Sequence, residues 1–135
     1  MENLIITSQI AAALAVQMFV LSLLVSLRRV SLGKEEGDIA KYPYQDGNDE
    51  TLKRRIRAFG NFIEYTPLCL IILALLEYQG AGDTLLWSLG GAFVIGRIFH
   101  SIGMLSNPHF PVPRIIGMFA SYAVLLALPV WMLTQ

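Results

Sequence analysis

The chain has 135 residues, of which 55% are hydrophobic and 15% charged, whereas about 25% of residues are charged in an average soluble domain. A bilayer is therefore the expected solvent, and residues 1–135 suit one membrane domain with four spans of about 20 residues each. The net charge is zero and no basic run is interleaved with aromatic residues, which excludes the electrostatic surface of a nucleic-acid-binding protein.

The first apolar run covers residues 5–27 and ends at Arg28 and Arg29. It is long enough to cross a bilayer. Because Glu2 precedes the run and the arginines follow it, the pattern favours an uncleaved helix over a signal peptide, in which basic residues come first. Residues 28–55 are rich in charge and interrupted by glycine and proline, which predicts a solvated loop.

Three more apolar runs follow this loop. The predicted spans are residues 56–78, 84–105 and 115–133. The second span contains Pro67, which a membrane helix tolerates when neighbouring groups satisfy the freed carbonyl. Several glycines in the third span allow close helix packing. The predicted fold class is therefore all-α, an integral membrane four-helix bundle.

The distribution of lysine and arginine predicts the orientation, because cytoplasmic loops carry an excess of both. All ten lie on one side of the predicted bundle, eight around the first loop and Arg97 and Arg114 around the third. Residues 28–55 are therefore expected to form a cytoplasmic loop. Both termini are expected on the non-cytoplasmic side.

A row of polar residues enters the second span from its cytoplasmic end. Arg54, Arg57, Asn61 and Glu64 follow one another at intervals of three or four residues, so they share one face of a helix, here called the polar stripe. A charge at the bilayer centre costs at least about 2.5 kcal/mol on insertion scales, which makes such residues candidates for function. The stripe is expected to face the bundle interior or a partner chain.

The polar stripe is also compatible with a structural role and with an ion path. Arg57 and Glu64 could form structural ion pairs, although about 10 Å of helical rise separates them, too far for direct pairing within one helix. The charges could instead form a proton or ion path. Four short spans without inverted halves make a transporter less favourable.

Arg97 and His100 form a second polar set, three residues apart on one face of the third span. A lone buried histidine is often structural, but the adjacent arginine favours binding of an anion. The other histidine, His109, belongs to no cluster with metal-ligand spacing, so no metal site is predicted. Arginines with a carboxylate and an amide suit a zwitterionic ligand, because guanidinium binds carboxylate and Glu64 can hold an ammonium group.

Residues 54–68, RRIRAFGNFIEYTPL, resemble the second-helix signature of the MAPEG family, the membrane-associated proteins in eicosanoid and glutathione metabolism. That signature has the pattern R-x-x-R-A-x-x-N-x-x-E-[YT]. Residues 96–103, GRIFHSIG, are similar to the third-helix motif of the family. The resemblance covers essentially the whole chain and is that of a bacterial-type member.

The resemblance implies a homotrimer in a bacterial inner membrane that binds glutathione, as a thiol co-substrate, between neighbouring subunits. The implied glutathione contacts are Arg28, Arg54, Arg57, Asn61, Glu64, Tyr65, Arg97 and His100. Arg114, near the start of the fourth span, corresponds to the family arginine that stabilises the thiolate, and it is the expected catalytic residue.

The implied activity is that of a glutathione-dependent transferase or peroxidase. A cysteine-type thiol has a pKa of about 8.5, and an adjacent arginine lowers that pKa so that more of the thiol is nucleophilic thiolate. The second substrate would be a hydrophobic electrophile or lipid hydroperoxide arriving from the bilayer. Met104 and Met118 stand where eukaryotic members often carry tyrosines, which argues against an eicosanoid synthase. The alternative is a non-catalytic membrane protein that binds glutathione, another anion or lipid headgroups at the same stripe.

Overall fold

A computed structural model of the chain contains four α-helices and no strand in the part that it describes. The helices are α1 (Ile5–Glu36), α2 (Glu50–Tyr78), α3 (Asp83–Leu105) and α4 (Val112–Leu133). The structure describes residues 4–38, 42, 45, 46, 48–106 and 111–134, without the side chains of 127 and 128. His109 and part of the predicted first loop lie outside these residues. All four helices are long and apolar enough to cross a membrane, which confirms the predicted fold class.

The first two helices extend beyond the predicted spans. The sequence predicted a loop over residues 28–55, but α1 continues to Glu36 and α2 begins at Glu50. Lysine, arginine and glutamate are good helix formers, so the polar composition of these residues did not by itself end the helix. Instead, α1 ends where Gly37 adopts the left-handed conformation, with φ of 76°.

The N-terminus of α1 is capped by a side chain of α2. The backbone N–H groups of Ile6 and Thr7 donate to the two carboxylate oxygens of Glu77, at 2.8 and 2.7 Å. Because the residue before α1 provides no side-chain cap, this carboxylate satisfies donors that would otherwise lack acceptors. This contact links the N-terminal end of α1 to the C-terminal end of α2, whereas Arg54 and Arg57 lie near the N-terminal end of α2.

Helices α3 and α4 approach each other closely through glycines. A Cβ atom at Gly117 would lie 2.3 Å from the carbonyl oxygen of Gly96 and 2.6 Å from the Cβ of His100. A Cβ atom at Gly96 would lie 2.6 Å from the Cβ of Ala120. Only small residues allow this backbone contact. This glycine contact determines at which level along the two helices the polar residues of α3 meet those of α4.

An apolar core fills the space between the helices. Its buried members include Ile10, Leu14 and Leu21 of α1, Phe62, Leu73 and Leu76 of α2, Leu86 and Phe93 of α3, and Val124 of α4. The outer surface is also apolar, with large exposed side chains such as Phe19, Leu68 and Phe119. A surface of this kind is unfavourable in water and suits contact with lipid.

Candidate ligand-binding site

A cleft of about 560 Å³ opens between the start of α2, the end of α3 and the start of α4. Its charged lining consists of Lys53, Arg54, Arg57 and Arg114 together with Asp46 and Glu50. Three predicted site residues, Arg54, Arg57 and Arg114, therefore lie around one space. Four basic and two acidic side chains suit a ligand that carries carboxylates and an ammonium group.

Contacts with the end of α3 hold two of these arginines at the cleft. The Nη1 atom of Arg54 donates to the carbonyl oxygen of Ser106, the residue that ends α3, at 3.5 Å. A Cβ atom at Gly103 would lie 2.4 Å from the backbone nitrogen of Arg114. Glycine at position 103 therefore allows the start of α4 to approach α3 and brings Arg114 to the cleft. Met104 lines the same space.

Arg57 and Glu64 lie on the outer surface of the chain. Neither forms a hydrogen bond or an ion pair with another described residue. The alternative in which these two charges pair within the chain is therefore wrong for the described residues. Arg57 lines the cleft, whereas Glu64, two helical turns further along α2, is not part of its lining. The carboxylate of Glu64 faces outward from a single copy of the chain.

Arg97 lies in the interior of the bundle with 1% of its surface exposed. Its Nη2 atom donates to Oδ1 of Asn61 at 2.9 Å, and its Nη1 atom donates to Oγ of Ser121 at 3.5 Å. Its Nε atom has no acceptor, and no described carboxylate forms an ion pair with it. The Cζ atom lies 5.6 Å from the ring centre of Phe62 and 5.8 Å from that of Tyr65, within the range of cation–π stabilisation.

The contact with Arg97 determines how Asn61 presents its amide group. Arginine carries only hydrogen-bond donors, so the Asn61 atom that faces Arg97 must be the oxygen. The amide NH₂ group is then the part of the Asn61 side chain that does not contact Arg97, and Asn61 shares a helix face with Arg57 and Glu64. Two donors at this point suit a carbonyl or carboxylate oxygen of a ligand. Arg97 therefore acts on the polar stripe through Asn61.

His100 and Tyr65 take up different positions beside this buried arginine. His100 is 3% exposed and its Nδ1 atom has no hydrogen-bond partner among the described residues. It lies one turn of α3 from Arg97, on the side toward the cleft, but it is not part of the cleft lining. Tyr65 is partly buried and packs against Tyr122 of α4, with ring centres 6.1 Å apart. In the part of the chain that the structure describes, no three metal-ligating side chains come together.

The sequence did not lead us to predict two polar residues of α4, Ser121 beside Arg97 and Tyr122 beside Tyr65. Ser121 is buried between Arg97 and the carbonyl oxygen of Gly117, to which its hydroxyl group donates at 3.0 Å. In the sequence, the small side chain of Ser121 indicates only that helices can pack closely there, and Tyr122 belongs to no recognised motif. A usable signal was present, because these are adjacent polar side chains within an otherwise apolar span.

Arg28 is engaged within the chain at the connection between α1 and α2. It forms ion pairs with Asp49 at 2.7 Å and with Glu35 at 3.4 Å, and it does not line the cleft. Its hydrogen bond holds the pKa of the Asp49 carboxyl below the usual value, and the backbone N–H of Leu52 acts in the same direction. This stabilising contact is present at neutral pH and is lost as the pH falls through the lowered pKa. The geometry thus assigns Arg28 a structural contact, and its predicted glutathione contact stays a prediction.

Comparison with known proteins identifies the family. The model of the MAPEG family matches residues 7–134, nearly the whole chain. The chain belongs to the MAPEG family. This confirms the family that the second-helix and third-helix motifs indicated.

Two curated relatives resemble the chain over part of its length. It is 32% identical over 60 residues to the inner membrane protein YecN of Escherichia coli strain K12 and to the protein of the same name in Escherichia coli O6:H1 strain CFT073. The match covers 44% of this chain and 46% of each relative, so the chain spans about half the length of the curated relatives it matches. No solved structure matches the chain.

Proposed function

We propose that the chain binds glutathione at the cleft and the polar stripe, and that it uses the bound thiol in conjugation or peroxide reduction. The observation that carries this proposal is the convergence of Arg54, Arg57 and Arg114 on one cleft in a member of the MAPEG family. Glutathione carries two carboxylates, which guanidinium groups bind bidentately. Its ammonium group can be held by Glu64 or by the acidic residues at the cleft.

In the proposed reaction, Arg114 stabilises the thiolate of glutathione. Each unit by which the pKa of the thiol falls corresponds to about 1.4 kcal/mol of preferential interaction with the thiolate, which one guanidinium can supply. The thiolate sulfur then attacks an electrophilic carbon and displaces its leaving group. With a lipid hydroperoxide, the thiolate attacks the terminal peroxide oxygen and the O–O bond breaks. The products are glutathione sulfenic acid and an alkoxide, which takes up the proton released by the thiol and becomes a lipid alcohol. A second glutathione converts the sulfenic acid to disulfide and water.

The proposed active assembly is a homotrimer in a bacterial inner membrane. In a single chain, Glu64 is exposed on an apolar helix without a hydrogen-bond or ion-pair partner among the described residues. Exposure of a charge to hydrocarbon costs at least about 2.5 kcal/mol, so a second copy that covers this face would remove a large penalty. The matched relatives are named inner membrane proteins, which supports this location. The basic residues around the α1–α2 connection favour termini on the non-cytoplasmic side.

A non-catalytic binding protein is the second candidate function. Met104 lines the cleft together with Arg114, where eukaryotic members often have a tyrosine. A thioether cannot donate a hydrogen bond to a thiolate or to a leaving group. In this alternative the arginines bind glutathione, another anion or a lipid headgroup without turnover.

Isothermal titration calorimetry tests the ligand and the site together. The wild-type protein in detergent is expected to bind glutathione, and Arg57→Ala is expected to weaken binding by about 10- to 100-fold, the range for one hydrogen-bonded charged pair. Lys34→Ala, which removes an exposed cation outside the cleft, is the matched control and should bind like the wild type. Absence of binding by the wild type would overturn the proposed function.

Ultraviolet absorbance of bound thiolate and turnover assays separate the two candidate functions. The wild type is expected to show a thiolate signal and to consume an electrophile or a hydroperoxide, while Arg114→Ala retains glutathione but loses the signal. Binding without turnover of either substrate class would support the non-catalytic alternative. A full thiolate signal in Arg114→Ala would show that another group stabilises the thiolate.

A further inference from the structure

Met104 brings the sulfur atom of a thioether into the cleft between α2, α3 and α4. Among the described residues that line this cleft of about 560 Å³, it is the one with a sulfur atom. Its side chain is partly exposed and also packs against the apolar core. The preceding residue, Gly103, lies so close to α4 that its Cβ position is 2.4 Å from the backbone nitrogen of Arg114. Met104 and Arg114 are therefore open to the same incoming molecule.

Two guanidinium groups share the cleft with this thioether. Neither Arg57 nor Arg114 forms a hydrogen bond or an ion pair with another described residue. A thioether is a weak hydrogen-bond acceptor and has no donor, but peroxides oxidise it to a sulfoxide. Such a reaction releases an alkoxide, and positioned cations stabilise the charge that develops on its oxygen. The cleft therefore combines an oxidisable sulfur with groups that favour its oxidation.

We propose that an organic hydroperoxide oxidises Met104 to methionine sulfoxide when no glutathione occupies the cleft. This step rests on the proposed function, in which such hydroperoxides come to the cleft as substrates. The thioether sulfur attacks the terminal peroxide oxygen and the O–O bond breaks. The oxygen is transferred to sulfur, its proton passes to the departing alkoxide, and the products are a sulfoxide and an alcohol. The sulfur is oxidised by two electrons and the peroxide is reduced by the same two.

Oxidation of Met104 closes the glutathione site. The sulfoxide replaces a flexible apolar group with a polar one whose oxygen accepts hydrogen bonds. Arg57 and Arg114 carry only donors, so a guanidinium at the cleft binds this oxygen instead of a carboxylate or the thiolate of glutathione. Hydroperoxide in excess of glutathione thus turns off binding, and reduction of the sulfoxide restores it. Met104 is in this way a reversible sensor of the ratio between the two substrates.

Oxidation followed by calorimetry tests this role of Met104. Detergent-solubilised protein without glutathione is treated with cumene hydroperoxide, which is then removed, and glutathione is titrated. We expect the affinity of the wild type to fall by about 10-fold or more, the scale of one hydrogen bond to a charged group, and methionine sulfoxide reductases for both sulfoxide epimers to restore it. Met104→Leu should keep after treatment the affinity that it had before. Met18→Leu, which removes an exposed methionine of α1 outside the cleft, is the matched control and should lose affinity like the wild type.

Peptide mass spectrometry of the treated wild type locates the transferred oxygen independently of glutathione binding. Met118 of α4 is partly buried like Met104 but lies outside the cleft lining. Met104 is therefore expected to be oxidised at least about 10-fold faster, because one positioned donor stabilises a developing oxyanion by that factor or more. Equal rates at the two residues would overturn the proposed oxidation, since the cleft would then contribute nothing to it.

Two results of the calorimetry would overturn the closure of the site. One is an unchanged affinity of wild type in which Met104 is oxidised, and the other is an equal loss of affinity in Met104→Leu. If Met104→Leu is misfolded, the reductase treatment of the wild type decides, since affinity that does not return when Met104 is reduced contradicts the proposal. If the untreated wild type does not bind glutathione, the proposed function is wrong and the closure of the site with it, whereas the peptide map still decides whether the cleft directs oxidation to Met104.

Discussion

The largest fully buried side chain among the described residues belongs to a cation, Arg97. Such a group is costly in a membrane bundle unless its donors are satisfied. Here an amide oxygen, a hydroxyl group and two aromatic rings surround it in place of a carboxylate. The sequence predicted that Arg97 and Asn61 both contact the ligand. The geometry adds a positioning role for Arg97, because its bond to the Asn61 oxygen leaves the amide NH₂ group free, and the predicted contact of Arg97 with the ligand stays a prediction.

The substitution Asn61→Asp tests this positioning role. Aspartate keeps the oxygen that accepts from Arg97 and adds charge pairing, but it lacks the two N–H donors of the amide. We expect thermal stability to be retained or raised, whereas glutathione affinity falls by about 10-fold or more, on the scale of a hydrogen bond to a charged group. Calorimetry and thermal unfolding measure the two effects separately. Unchanged affinity would mean that Asn61 serves only to hold Arg97.

At the scale of helices, the glycine contact between α3 and α4 brings the polar residues together. The third-span glycines predicted close packing, but their sequence positions do not tell which helix each of them faces. The structure shows that Gly96 and Gly117 face each other and that Gly103 faces Arg114, while Gly91 has open space beside it. The contact places Arg97 beside Ser121 and allows Arg114 to reach the cleft.

Gly117→Ala is therefore expected to separate α3 from α4. The added methyl group would overlap the backbone of Gly96 and the side chain of His100, and overpacking of this kind costs about 1 to 3 kcal/mol. Gly91→Ala is the matched control, because nothing lies within 4 Å of its Cβ position and alanine favours a helix. Unfolding of both variants in detergent measures the difference. Equal stability of the two variants would contradict the close contact.

At the scale of the whole protein, the outer face of α2 in a single chain exposes charged side chains that pair with no described residue. Arg57 and Glu64 are exposed there, next to apolar side chains such as Leu68 and Ile71. A lipid environment would penalise this carboxylate, whereas a neighbouring copy and a bound zwitterion would not. The polar stripe was expected to face either the bundle interior or a partner chain. Arg57 and Glu64 face outward, whereas Arg54 is partly buried, and the contact with a partner chain stays a prediction.

Native mass spectrometry of detergent-solubilised protein is expected to give three times the 15.0 kDa mass of one chain. Glu64→Leu should remain folded, because Glu64 has no hydrogen bond or ion pair with a described residue to lose, but it should bind glutathione about 10-fold or more weakly, since an ammonium group would lose its acidic partner. Leu68→Ala, one turn further along the same face, is the control for altered packing. A monomer that binds glutathione with full affinity would contradict the proposed assembly.

The four apolar helices, the family and the members of the polar stripe could all be predicted from the amino-acid sequence. Each of these depends on local properties, namely the length of an apolar run and the spacing of residues along one helix. The packing of the helices was needed to show that Arg57 and Glu64 face outward, that Arg97 is buried against Asn61 and Ser121, and that Arg114 reaches the cleft. The physical reason is that burial and orientation depend on contacts between helices that are distant along the chain.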